Sequence, residues 1–384
     1  MADTGVGGVP GVAQAADRGP RADRHDTDRD LLRRIEAELA AYLDRRRAEA
    51  AEIDPAFAAA TEALRGFVLG GGKRIRPTFA WWGWRGAGGD PDDEITPAVL
   101  RALSALELIQ ACALVHDDLI DASATRRGRP TVHVAFADRH ADAGWAGRPA
   151  RFGAAAAILL GDLALAWADD MLRDAGLPAA ALRRAAEPWR SMRTELLAGQ
   201  YLDVLGQASA DTSTHGALRI NRFKTAAYTV ERPLHLGAAI ADAAPALVRS
   251  YRRFGADIGV AFQLRDDLLD VFGDPAVTGK AAGDDLREGK RTLLVALALE
   301  RAEERGATAA RTVLTDALGD RHLDAAAVER IRDVLCELGA AQAVEQRIAA
   351  LAGAALDALT TADIAEPAAS RLAELAVTAT RRRS

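Results

Sequence analysis

Apolar residues in this chain recur at three- and four-residue steps almost from end to end, and no segment sustains the period-two alternation of a half-buried strand. Leu31, Leu32, Ile35, Leu39 and Leu43 set the pattern near the start. Residues so spaced share one helical face and must bury it against neighbours. About a dozen such stretches predict an all-α chain, one large helical bundle around a central cavity. Alanine, the best intrinsic helix former, is abundant, and only 5% of the 384 residues are aromatic.

Residues 1–27 mix Gly, Pro, Asp and Arg without a period and read as a disordered tail, which leaves 28–384 as one folded domain. The second helix covers 55–68 and stops at Gly70, Gly71 and Gly72; Pro77 opens a third, which carries Trp81, Trp82 and Trp84 as core packing. A long buried helix is expected over 97–120. Further helices are expected over 151–175, 179–206, 213–241 and 246–272 and, after a loop over 273–290, over 291–305, 308–318, 324–338, 340–359 and 366–381.

The formal net charge of -6 gives no basic face for nucleic acid or an anionic membrane. No run of about eighteen apolar residues is evident, so no stable membrane insertion is expected. The N-terminus has no apolar stretch of signal-peptide length, and Cys112 and Cys336 form no CxxC pair; they read as two reduced core thiols in a soluble, cytoplasmic protein.

The chemistry concentrates in HDDLIDAS (116–123) and QLRDDLLDVFGD (263–274). Each ends an apolar helix and carries Asp at i, i+1 and i+4. Asp117 with Asp121, and Asp266 with Asp270, therefore share a helical face, with Asp118 and Asp267 at its edge. One such motif is as often a solvated helix end. Two, each following a hydrophobic helix, crowd like charges that need a cation, and hard divalent ions with oxygen ligands fit. Cations suited to a diphosphate flank both clusters: Lys73, Arg74 and Arg76 after three glycines, Arg126 and Arg127 just past Asp121, Lys224 with Thr225, and Lys280 and Lys290 beyond the second cluster. Each cation alone is commonly a surface charge; it is their placement beside both acidic clusters that marks a site.

In the order and spacing of GGGKRIRP, DDLID with its trailing RRG, GDLAL, GQYLD, KTA and DDLLD, the chain resembles the trans-isoprenyl diphosphate synthases of the polyprenyl synthetase family, from about Leu31 to the last helix. The resemblance implies an all-α prenyltransferase, a homodimer, that condenses isopentenyl diphosphate with an allylic diphosphate. It implies three Mg²⁺ ions held by Asp117, Asp118, Asp121, Asp266, Asp267 and Asp270. Arg126, Lys224, Thr225, Gln263, Lys280 and Lys290 match positions that contact the allylic substrate, and Lys73, Arg76 and Arg127 match the isopentenyl diphosphate site. Gln110 stands where many relatives have His and others Gln. The implied mechanism is ionisation, condensation and loss of a proton to the departing diphosphate, with no protein general base; His116 takes a supporting or packing role. Bulky aromatics just upstream of the first motif stop growth at fifteen carbons in the family. Here Ile109, Cys112 and Ala113 leave room, so a product of at least twenty carbons, geranylgeranyl diphosphate, is expected. The rival readings are a class I terpene cyclase and a non-catalytic partner subunit of another synthase.

Overall fold

The computed structural model describes residues 22–274 and 282–380. The expected disordered tail lies outside them up to residue 21, but the first helix, α1 (Ala22–Ile53), begins ahead of the expected Asp28. Asp54 ends it and caps the next, accepting a hydrogen bond from the Ala56 amide at 2.6 Å, while Pro55 sits where its missing N–H costs nothing; α2 (Pro55–Leu69) follows. After the glycine loop comes α3 (Ile75–Gly86), which starts before Pro77 rather than at it and buries Trp81, Trp82 and Trp84. The single helix expected over 97–120 is two, α4 (Thr96–Ser104) and α5 (Leu106–Ile120), divided at Ala105.

A two-residue antiparallel pair, Thr125–Arg126 with Arg129–Pro130, then turns the chain back. It leads into α6 (Val132–Asp142), where no helix is expected from the sequence; only Val132, Phe136 and His140 are buried, too thin a stripe to read. Next come α7 (Pro149–Arg173) and α8 (Ala179–Ala208). The stretch expected as one helix over 213–241 has three parts: α9 (Thr214–Ile220), a π-helical segment (Asn221–Glu231) and α10 (Arg232–Ile240). The long α11 (Pro245–Phe272) follows. Within the expected loop over 273–290 lies a single turn, α12 (Asp284–Arg287). The chain closes with α13 (Leu293–Glu304), α14 (Thr308–Ala317), α15 (Ala325–Glu337), α16 (Ala340–Thr360) and α17 (Ala368–Thr380).

Buried apolar residues form two clusters. The larger joins α1–α8, α10 and the first half of α11 to α16 and α17, with Tyr251 and Phe254 among its fully buried side chains. The smaller joins the second half of α11, from Val260 to Val271, to α13–α16. The acidic end of α11 is thus anchored in one core while its start is anchored in the other.

Two stretches, Thr96–Ile120 and Pro149–Arg173, are long and apolar enough to cross a membrane by length and composition. This corrects the sequence reading, which counted unbroken apolar runs; alanine-rich helices reach the same hydropathy with polar residues scattered through them. The first has 72% of its apolar window buried in the protein and is a core helix; the second has only 39%. Cys112 is a core thiol as expected, but Cys336 is exposed, because it lies on the outer face of α15.

Candidate active site

The last turn of α5 and the last turns of α11 carry the two aspartate trios. Their inner members differ from the rest. Asp118 is buried and chelated by Arg126, whose Nη2 lies 2.7 Å from Oδ1 and whose Nε donates to both oxygens at 2.8 and 2.9 Å. Asp267 is also buried and accepts from Gln263 Nε2 at 2.7 Å; its Oδ2 has no hydrogen-bond partner among the described residues. Burial, helped by Asp285 and Asp266, pushes Asp267 up to about 8. Asp117, Asp266 and Asp270 are only partly buried, whereas the Asp121 side chain keeps just 5% of its surface exposed beside Lys290. One step round each helix carries a carboxylate, Asp118 or Asp267, into the packing.

Lysines lie between the trios. Lys224 Nζ is 2.9 Å from Asp117 and 2.5 Å from Asp203. Lys290 Nζ is 3.1 Å from Asp121, 3.4 Å from Asp285 and 2.5 Å from Glu288. Lys290 therefore joins the first trio to the turn behind the second. That turn is tied to the second trio as well, since the Asp285 amide donates to Asp270 Oδ2 at 3.1 Å. Burial would raise Asp117, but Lys224, Lys290 and Arg126 together hold it below the ordinary carboxylate range. Asp121, more strongly desolvated than it is compensated, rises to about 6. Both lysines are held above their usual range, the loss of hydration being outweighed by the surrounding carboxylates.

Lys224 and Thr225 sit on the π-helical segment, whose wider turn displaces side chains from α-helical register; such segments recur at functional sites. Thr225 Oγ1 donates to Gln263 Oε1 at 2.7 Å, which links this segment to Asp267 through one amide. The segment packs directly on α8 at Gly199: a Cβ there would lie 2.2 Å from the Lys224 amide nitrogen.

The second group of cations gathers beside the glycine loop. Arg76 is buried, stacked 4.1 Å over the Tyr228 ring, and donates to Thr229 Oγ1 at 2.9 Å. The Tyr228 hydroxyl donates to Gln110 at 2.8 Å. Arg127, exposed, donates to the Gly71 carbonyl, and Lys73 is exposed on the loop itself. Arg74, read from the sequence as a phosphate-facing cation, instead turns inward to Glu107. Lys280 lies outside the described residues. His116 packs against α7, Nε2 lying 3.3 Å from the Ile158 carbonyl and the ring closing on Gly161. Ile109 and Cys112 are fully buried and Ala113 partly, one and two turns below Asp117.

The arrangement is a charged cluster: carboxylates on two helix ends, two lysines among them, and a loop with Lys73, Arg74 and Arg76 to one side. The polyprenyl synthetase family matches residues 58–335. The chain belongs to that family. It is thereby a trans-prenyltransferase of the isoprenyl diphosphate synthase type, with the all-α fold of its relatives. This polyprenyl synthetase shares 47% identity with a geranylgeranyl pyrophosphate synthase from Corynebacterium glutamicum, solved in complex with isoprenyl diphosphate and magnesium; the match covers 91% of this chain and 98% of that one, with a TM-score of 0.87. A geranylgeranyl diphosphate synthase of Mycobacterium tuberculosis is 33% identical over 297 residues, 76% of this chain and 77% of the relative. A geranylfarnesyl diphosphate synthase of Aeropyrum pernix is 34% identical over 241 residues, 62% of this chain and 70% of the relative.

Four polar residues of this polyprenyl synthetase site have no role of their own in the sequence reading. Gln200 Nε2 donates to Asp117 at 3.0 Å, Asp203 holds Lys224, Tyr228 joins Arg76 to Gln110, and Glu107 holds Arg74. Gln200 and Asp203 belong to the GQYLD segment, so their signal was present: two polar groups a turn apart on a helix that otherwise packs. Tyr228 and Glu107 are single residues in apolar helices, with no spacing to mark them.

Proposed function

We propose that the enzyme condenses isopentenyl diphosphate with an allylic diphosphate to form a longer all-trans polyprenyl diphosphate, geranylgeranyl diphosphate. The observation that carries this is Lys290, within 3.1 Å of Asp121 and 3.4 Å of Asp285, which joins the two acidic helix ends into one site. Sites on separate outer surfaces could not share a diphosphate. A terpene cyclase or a non-catalytic subunit is not favoured: both trios and the isopentenyl-side cations stand together, and the likenesses above are to synthases.

The i and i+4 carboxylates of the two motifs fit magnesium. Among the described residues no three acidic, histidine or cysteine side chains form a ready-made cage, but magnesium needs none. It typically takes one or two carboxylates and completes its shell with water and substrate phosphate. Asp117, Asp121, Asp266 and Asp270 would hold it, and four carboxylates divided among three ions give each that number. When bound, magnesium supplies positive charge that stabilises the leaving diphosphate. Within the chain, Lys224 and Arg126 face the same developing charge, pre-oriented by Asp203 and Asp118. Arg76, Arg127 and Lys73 hold the second diphosphate, and Gln110, oriented by Tyr228, offers its amide. The proton lost from the condensed chain goes to the departing diphosphate. Ile109, Cys112 and Ala113 put no aromatic ring at these positions in the two turns before Asp117, which supports a product of at least twenty carbons.

We also propose a homodimer in the cytoplasm. Ile158 and Leu159 on α7 and Leu197, Tyr201, Val204 and Leu205 on α8 are exposed; the four on α8, at i, i+4, i+7 and i+8, make one apolar face. Purified protein incubated with Mg²⁺, an allylic diphosphate and labelled isopentenyl diphosphate should yield, after dephosphorylation, a twenty-carbon alcohol, and chelation of divalent ions should stop turnover. A fifteen-carbon end product would refute the chain-length reading, and turnover undiminished by chelation would refute the metal reading.

A further inference from the structure

We infer that Arg74 and Glu107 are positioning residues that set the isopentenyl diphosphate loop at a fixed distance from the first aspartate motif; this rests on the function proposed above. Arg74 lies among the loop cations, between Lys73 and Arg76, yet only 4% of it is exposed, and Nη1 lies 2.8 Å from Oε2 of Glu107, itself 5% exposed. Its φ of 47° is in the left-handed region, where a side chain other than glycine's is strained. Its carbonyl is fixed too, accepting from the Thr78 hydroxyl at 2.8 Å and the Thr78 amide at 3.1 Å. Arg74 is thus clamped by its side chain to α5 and by its backbone to α3.

The pair is badly built for stability. Nε and Nη2 of Arg74 and Oε1 of Glu107 are buried with no hydrogen-bond partner among the described residues; Nε is 3.6 Å from Glu36, too far to bond. A buried ion pair so incompletely bonded is commonly no better than an apolar pair of the same volume. What it does provide is register. Glu107 lies on α5 one turn before Gln110 and shares that helix with Asp117. Lys73 and Arg76, on either side of Arg74, lie where isopentenyl diphosphate is placed by the reading above. Condensation requires the two reacting carbons in near-attack contact, and the separation of loop and helix decides that distance. Glu107 also offsets the crowding of Arg126 and Arg74 on Arg127.

Three proteins test this: wild type, Glu107→Gln, and the double variant Arg74→Met/Glu107→Met, each studied by thermal unfolding and by saturation with isopentenyl diphosphate and with the allylic substrate. The single variant, which leaves Arg74 buried and unpaired, should melt lower than wild type. The double variant should recover the wild-type melting temperature. In both, KM for isopentenyl diphosphate should rise about tenfold or more while KM for the allylic diphosphate stays within about twofold. A double variant whose KM returns along with its stability would overturn the inference, and so would one that melts below the single variant, since the pair would then be a structural element only. A wild-type enzyme with no response to isopentenyl diphosphate would overturn both this inference and the function on which it rests.

Discussion

Lys224 is held by two carboxylates of different kinds. Asp117 belongs to the first motif and keeps 19% of its side chain exposed; Asp203 lies on α8 and is nearly buried. The second carboxylate leaves the ammonium charged and aimed when Asp117 is otherwise engaged. Asp203→Asn keeps the shape and removes that hold. It should lower kcat by about tenfold to a hundredfold, as loss of an orienting partner does, while KM for isopentenyl diphosphate stays near wild type; steady-state kinetics with both substrates checks it. The aspartate motifs themselves were legible in the sequence because their spacing repeats the helical turn, and a repeat is something a single sequence can show. Tyr228 and Glu107 were not, since one polar residue on a packed helix looks the same whether it meets water or a partner; Asp203 was legible as part of GQYLD, but not as the partner of a lysine. Arg74 shows the opposite error: its neighbours made it look like a phosphate ligand, whereas in the structure it turns inward to Glu107 from a left-handed backbone.

At the level of elements, the contact between α8 and the π-helical segment decides where Lys224 stands. Gly199 lets the two backbones meet; a Cβ would lie 2.2 Å from the Lys224 nitrogen and 2.6 Å from its Cα, and both are backbone atoms with nowhere to go. Gly199→Ala should cost about 1–3 kcal/mol of stability through overpacking and lose activity beyond that, because the displaced segment carries Lys224 and Thr225. Gly66→Ala, inside α2 with nothing within 4 Å of the added carbon, is the control expected to gain about 0.4–1 kcal/mol of stability and to leave activity unchanged. Thermal unfolding together with kcat well below the midpoint separates the two effects. Most helices could be read from their apolar stripes. The π-helical segment could not, since its apolar spacing passes for ordinary helix, and nothing in it marks the close contacts with α8 at Gly199 and with α11 at Gly255 and Gly259. The short α6 was missed for lack of a stripe, and the break at Ala105 because both halves are buried and their patterns run on without a gap.

For the whole molecule, the open question is what covers the apolar face of α7 and α8. Leu159 and Tyr201 are about two-thirds exposed, at 68% and 67%, which is unusual for large side chains in the middle of long helices. If a second copy covers this face, Leu159→Asp places a charge in that contact, and sedimentation should show a species near the 40.6 kDa chain mass where the wild type sediments as a dimer. An unchanged sedimentation coefficient, or a wild type that is already monomeric, would remove this face from the interface.

The lysines of this cluster have a consequence for how such a protein comes into being. A helix end carrying Asp117, Asp118 and Asp121 would ordinarily resist packing during folding, each acid repelling the next. Here Lys224, Lys290 and Arg126 arrive on the same polypeptide and settle against those three acids, so the chain brings its own counter-ions to the first motif.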